Sequence, residues 1–276
     1  MKETLKNCIK NKTVLVSVTV ILLILLVSLL APVLFPGGDT AQDLLSRLSP
    51  PGGEHLLGTD ELGRDEFARM LYGTRVSLMI ALIPTILAVI IGTVLGIAGA
   101  AFGKAADLSV TWLADVTMAM PGVLLAMVVL YTFGGTTGSV VLSIVIMEWG
   151  GIARIVRSVT MSLMNSEYVL AARTMGVGKR DIMLRHILPN LLPTLIVLFT
   201  LNIPTSVLSE SALSFLGIGV QPPGVSLGLM VNQSKQFLFQ MPWLALAPAG
   251  MILILVMAFS FLGDALRNIL DPTTKY

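Results

Sequence analysis

Residues 13–34 read TVLVSVTVILLILLVSLLAPVL, an apolar run with no charged position. At 1.5 Å of rise per residue it makes a helix about 33 Å long, enough to cross the roughly 30 Å hydrocarbon core of a bilayer. Lys2, Lys6, Lys10 and Lys12 precede it, as basic residues precede a secretory signal. The run is too long for a signal h-region, however, and no A-x-A-like cleavage site follows, so it reads as an uncleaved first span. The rest of the chain has the same character. Its 276 residues are 55% hydrophobic and 12% charged, with a mean hydropathy of +0.87, where soluble domains carry about 25% charged residues. Further apolar windows occur at Val76–Phe102, Leu108–Phe133, Gly138–Ile152, Leu191–Leu213 and Trp243–Leu262, the fourth being the shortest. The expected fold is an all-α membrane protein with six transmembrane helices.

Basic residues set the expected orientation. With the N-terminus cytoplasmic, 13 of the 18 Lys and Arg fall on the inner side, leaving Arg47, Arg64, Arg69, Arg75 and Lys235 outside; this agrees with the positive-inside rule. The predicted layout has a cytoplasmic N-tail (1–12), the first span (13–34) and an extracytoplasmic loop (35–75) with a short surface helix. A five-helix core (76–264) follows, holding an inner segment (153–190) and an outer loop (217–242), and a cytoplasmic C-tail (265–276) ends the chain. Asp65 to Tyr72 would form the surface helix, with Phe67, Met70 and Leu71 on one side; it either caps the second span or meets another protein. The net charge of +2 gives no case for nucleic acid, and the single cysteine, Cys8, rules out an intramolecular disulfide.

Enzyme chemistry finds little support. His55 and His186 fall on opposite faces of the predicted membrane, and H-E-x-x-H does not occur. AGAAFGKA, residues 98–105, departs from a phosphate-binding loop at Ala98 and Ala105, which stand where that loop needs Gly and Ser or Thr. The fifteen methionines show no clustering and read as packing side chains rather than metal ligands. Neither a catalytic, a cofactor-binding nor a metal site is expected on this chain.

Ionisable residues inside spans are the default functional suspects in lipid. Asp115 and Glu148 sit near predicted span ends, with no intramembrane Lys or Arg to pair with, and read as structural. Asn202, Ser206 and Ser209 recur at helical spacing and Glu210 follows. This stripe either lines a water-filled path or bonds to neighbouring helices, and path lining is preferred. Gly92 and Gly96 form G-x-x-x-G with Gly99 beyond, which reads as ordinary close helix packing before a dimer seam.

One hydrophilic stretch interrupts the apolar pattern, EYVLAARTMGVGKRDIMLRHILPN at residues 167–190. Glu167 to Met175 suits a helix, Gly176 breaks it, and a second amphipathic helix starts at Lys179. Ala171 and Ala172 offer a smooth patch, with Glu167, Arg173, Lys179, Arg180 and Asp181 as a charged rim. From the residues alone, a solvated hairpin and a docking site are equally open.

The A-A-x-x-x-G of residues 171–176, with I-L-P ending at Pro189, resembles the EAA motif of ABC importer permeases. GTDELGRDEFARMLYGTRVSL, EYVLAARTMGVGKRDIMLRHILPN, SESALSFLGIGVQPP and GDALRNILDP are similar, in the same order, to segments of the second permease subunit of dipeptide, oligopeptide and nickel importers. Two positions depart from the pattern: Leu170 directly precedes Ala171, with the acidic Glu167 one turn earlier, and Leu227 replaces an aromatic. The resemblance implies a multi-pass permease of the bacterial cytoplasmic membrane, paired with a homologous permease. Two ATP-binding subunits holding ATP and Mg would dock on a coupling helix between the fourth and fifth spans. Glu167, Tyr168, Ala171, Ala172, Arg173, Gly176, Lys179, Arg180 and Asp181 would form that surface. An extracytoplasmic binding protein would deliver a peptide, nickel, a metal chelate or a glutathione-like solute. The competing readings are an ion-coupled secondary carrier, which needs its own coupling carboxylate, and a structural membrane subunit with no solute path.

Overall fold

The computed structural model describes residues 9–270, so Cys8 and the outermost parts of both tails lie outside the described residues. Nine helices carry the described chain: α1 (Lys12–Leu34), α2 (Glu66–Ala101), α3 (Lys104–Ala119), α4 (Gly122–Phe133), α5 (Thr137–Met164), α6 (Glu167–Thr174), α7 (Lys179–Phe215), α8 (Leu227–Ser234) and α9 (Trp243–Leu270). Among the described residues there is no strand, only an isolated antiparallel bridge between Thr59 and Asp65. Helices α1, α2, α5, α7 and α9 are each long and apolar enough to cross a bilayer, and α3 with α4 makes a sixth crossing if the bent pair is one span.

The predicted elements survive with five changes of boundary. The surface helix is not separate. Asp65 caps the first turn by accepting from the Ala68 amide at 2.8 Å, and the helix then runs without a break for 36 residues to Ala101. The third span is broken: α3 and α4 meet at 93°. Met120 is extended, with φ −88° and ψ 136°, as the residue before a proline tends to be, and Pro121 has no N–H with which to continue the helix. The fourth helix is far longer than its apolar window, because Arg154 and Arg157 ride on α5, which continues to Met164; residues 153–164 of the predicted inner segment are therefore helical. The fifth span begins at Lys179, not Leu191. It absorbs the second amphipathic helix and passes through a π-helical turn at Ile182–Ile187, just before Pro189. The sixth extends past Leu262 to Leu270.

Helix α2 is the central post, packed against α5, α7, α1 and α9. Its G-x-x-x-G faces α5 within this chain. A Cβ on Gly92 would lie 2.7 Å from Ile152 Cγ2, and one on Gly96 would lie 2.6 Å from the Ala153 carbonyl, so only glycine permits this approach. One core cluster, with Trp149, Ile152, Val156, Val169, Ile182, Ile187 and Leu191, lies at the end carrying residues 165–178. Another, with Ile80, Val140, Ile144, Leu213, Val220 and Leu229, lies toward the end carrying the loops 36–65 and 216–242.

Candidate functional site: an exposed elbow, a polar seam and a sealed cap

The elbow is α6 and the turn after it. The Gly176 amide donates to the Arg173 carbonyl at 3.0 Å and the Val177 amide to that of Ala172 at 3.1 Å, the paired bonds of a Schellman C-cap. Gly176 has φ +81°, a backbone conformation that costs an L-residue strain even though open space surrounds its Cα. Helical periodicity then divides the side chains. Val169 is fully buried and Ala172 is 2% exposed; three residues apart, they share the face turned to the bundle. Glu167, Tyr168, Leu170, Ala171, Arg173, Gly176, Lys179, Arg180 and Asp181 are exposed, and Met175 is 76% exposed. Ala172 is therefore not half of a smooth alanine patch, as the sequence suggested. The outward apolar surface is Leu170, Ala171 and Met175, with the charged residues around it. Tyr168 stacks loosely on His186, the ring centroids 6.4 Å apart. Asn190 Nδ2 donates to Tyr168 Oη at 3.3 Å and to the His186 carbonyl at 2.6 Å, tying the elbow to the base of α7. Behind it lies a cavity of about 290 Å³ lined by Ala101, Met164, Arg173, Val177, Lys179, Ile182 and Met183.

The stripe on α7 is split. Ser206 and Glu210 are 0% exposed, whereas Asn202 and Ser209 are half-buried and Thr205 is exposed. Asn202 Nδ2 donates to the Leu198 carbonyl at 2.7 Å. Ser206 Oγ donates to Glu148 Oε1 at 2.6 Å and lies 2.7 Å from Thr85 Oγ1. Ser77 Oγ donates to Glu210 Oε2 at 3.0 Å, and Ser214 Oγ to Glu210 Oε1 at 2.7 Å. Buried hydroxyls on α2 and α7 thus engage both carboxylates, as lipid-embedded polar groups require. Glu148 lies mid-helix on α5, not near a span end. Asp115 has the partner that the sequence reading denied it, Arg154, and Arg157 Nη2 donates to Asp107 Oδ2 at 2.7 Å. Both arginines reach α3 because α5 outlasts its apolar window.

At the opposite end a charge network missed in the sequence closes the loops. Asp60 accepts from the Leu62 amide at 2.8 Å, the Arg64 amide at 3.0 Å and Arg64 Nε at 2.7 Å, and it pairs with buried Arg69. Burial alone would raise its carboxyl, but Arg69, Arg64 and the two amides hold it below the usual carboxylate range. Arg69 Nη2 continues to Gln233 Oε1 on α8 at 2.8 Å, and Gln236 Nε2 donates to Glu61 at 2.9 Å. Gly63, at φ +72°, lets the turn press on Asp43, whose carbonyl would lie 1.8 Å from an added Cβ. Beside this network Glu66 is 1% exposed, and burial pushes its carboxyl up to about 7. The signal that could have found the cap was the density of charge in TDELGRDEFAR, too high for a slack loop.

Long apolar helices packed on one another, with carboxyl and hydroxyl groups paired between them, define a polytopic membrane protein. The family described as binding-protein-dependent transport system inner membrane component matches residues 88–276, and the chain belongs to it. The N-terminal transmembrane domain of oligopeptide transport permease C matches residues 1–51. The dipeptide transport system permease protein DppC of Alkalihalophilus pseudofirmus is 35% identical over 274 residues, covering 99% of this chain and 90% of that protein. The oligopeptide transport system permease protein OppC of Bacillus subtilis is 34% identical over 274 residues, with 99% and 90% covered. DppC of Haemophilus influenzae is 36% identical over 272 residues, with 96% and 92% covered. The chain is thus a multi-pass permease component, in the inner membrane, of an ABC transport system.

Proposed function

We propose that this chain is one of two homologous permease subunits of an ATP-driven importer whose solute is a short peptide. The observation that carries the reading is the elbow, where Leu170, Ala171 and Met175 are turned outward inside a ring of Glu167, Arg173, Lys179, Arg180 and Asp181. An apolar knob with a charged rim suits docking on another protein. The partner is an ATP-binding subunit, two of which hold the ATP and Mg that drive the cycle. The names of the relatives support peptides over nickel or a metal chelate as solute. Charge asymmetry supports a cytoplasmic elbow and termini, with the loops 36–65 and 216–242 outside, where a solute-binding protein delivers its load. Thr205, Ser209 and Asn202 are the α7 groups free to face a path between the two permeases. ATP must bind one arrangement of the assembly several kcal/mol more tightly than the other, since equal affinity shifts nothing.

The test is uptake of a labelled dipeptide by cells carrying the whole transporter, with the permease quantified in the membrane. Ala171→Arg should abolish uptake while the protein accumulates normally. Undiminished uptake, or peptide uptake by this chain alone in vesicles energised by an ion gradient, would sink the reading in favour of a self-contained carrier.

A further inference from the structure

We propose that Glu210 is a positioning residue that registers the outer loop to the bundle: its one carboxylate orients two serine hydroxyls, and each hydroxyl takes a backbone amide from a different point in residues 216–242. Ser77 and Ser214 spend their hydroxyl protons on the two Glu210 oxygens. Their own oxygens are then free to accept, and each does. The Leu227 amide donates to Ser77 Oγ at 3.1 Å and the Val220 amide to Ser214 Oγ at 3.1 Å. Leu227 is the first residue of α8, where an amide has no partner within its own helix.

Two glycines bring the loop into range independently of these bonds. A Cβ on Gly228 would lie 2.6 Å from Ser211 Cα, and one on Gly219 would lie 2.3 Å from Ser214 Oγ. The backbone is therefore laid directly on α7 at both arms. A carboxyl group, with acceptor lone pairs on both of its oxygens, serves both serines at once. A glutamine would satisfy one and compete for the lone pairs of the other. The arms also end on different helices. The start of α8 is registered to α2 through Ser77, while Val220 is registered to α7 through Ser214. Any sliding of α7 along α2 therefore changes the two arms unequally and reshapes the outer loop.

The inference rests on the importer reading only for the side of the membrane that the loop faces. In the full chain with its native partners and Cys8→Ser, single cysteines at the buried positions Val220 and Val225 report opening of each arm. They are labelled with a membrane-impermeant maleimide in intact cells, after permeabilising any outer envelope, and in inside-out vesicles. Ser214→Ala should speed labelling of Val220→Cys about tenfold and leave Val225→Cys unchanged, Ser77→Ala should do the reverse, and Glu210→Ala should speed both. An equal rise at both reporters in the serine variants would mean general loosening and would overturn the relay. So would slow labelling of both in Glu210→Ala protein present at its normal level. If Glu210→Ala does not accumulate, the serine variants decide alone. The arm-specific pattern appearing in inside-out vesicles instead of cells would uphold the relay and overturn the orientation used for the importer.

Discussion

The two ends of this bundle treat their polar segments in opposite ways. At one end, residues 58–66, α8 and the start of α2 turn their charges inward, so that Asp60, Arg69 and Glu66 are buried among their own chain. At the other, the elbow buries only Val169 and Ala172 and points its charges and apolar side chains away from the bundle, over a cavity of about 290 Å³. A segment that buries its charges against its own chain holds a shape; one that leaves Leu170, Ala171 and Met175 uncovered is shaped for something else. In lipid-embedded proteins that distinction carries information, because neither end lies in hydrocarbon and both were free to be slack loops.

The contrast can be broken by substitution. The largest effect is expected for Arg69→Met, which leaves buried Asp60 without its deepest partner. Breaking a buried pair costs about 3–5 kcal/mol, so thermal unfolding in detergent should shift sharply and little protein should accumulate. At the elbow, Ala172→Arg buries an unpaired charge and should lower the amount of protein in the membrane, whereas the adjacent Ala171→Arg should leave the amount unchanged. Equal amounts for these two would erase the inward and outward faces of α6. A third test uses pH. Glu66 titrates from 4.5 in the unfolded chain to about 7 in the fold, so the fold holds a proton that the unfolded chain releases. Its contribution is full below about pH 4.5 and is lost as pH rises through about 7. Glu66→Gln should remove that loss, at most about 3 kcal/mol by pH 8, seen as a flatter dependence of unfolding temperature on pH. Asp60, shifted the other way, titrates below this window. The smallest effect is expected for Arg154→Ala. Its pair with Asp115 is half-exposed, and such pairs contribute about 1 kcal/mol or less.

Much of the architecture was legible in the residues. Apolar runs gave every long helix, and Gly176 gave the break in the elbow, since both depend on local chemistry. Boundaries failed where a helix outlived its apolar window. Arg154 and Arg157 read as loop residues, yet they stay helical on α5 and pair with Asp115 and Asp107 on α3. Pro121 was in plain view, but nothing local says that the chain turns through 93° there rather than bending slightly. The α7 stripe shows a different limit. Spacing placed Ser206, Ser209 and Glu210 on neighbouring ridges, but which ridge is buried depends on Ser77 and Thr85, more than a hundred residues away in sequence. Ala172 was assigned outward for a similar reason, because two adjacent alanines look alike until a helix axis is fixed.

Helix α7 leaves the elbow at Lys179 and ends at Phe215 beside the serine pair, 37 residues on. At 1.5 Å per residue that is about 55 Å of helix, so were it to turn as one piece through its π-helical turn, Pro193 and Pro204, each degree of tilt at its foot would carry its head by about 1 Å. Hydrogen bonds of 3 Å tolerate little of that. A nudge of a few degrees delivered beneath residue 179 would then be large enough to unhook an amide from a hydroxyl on the far side of the membrane.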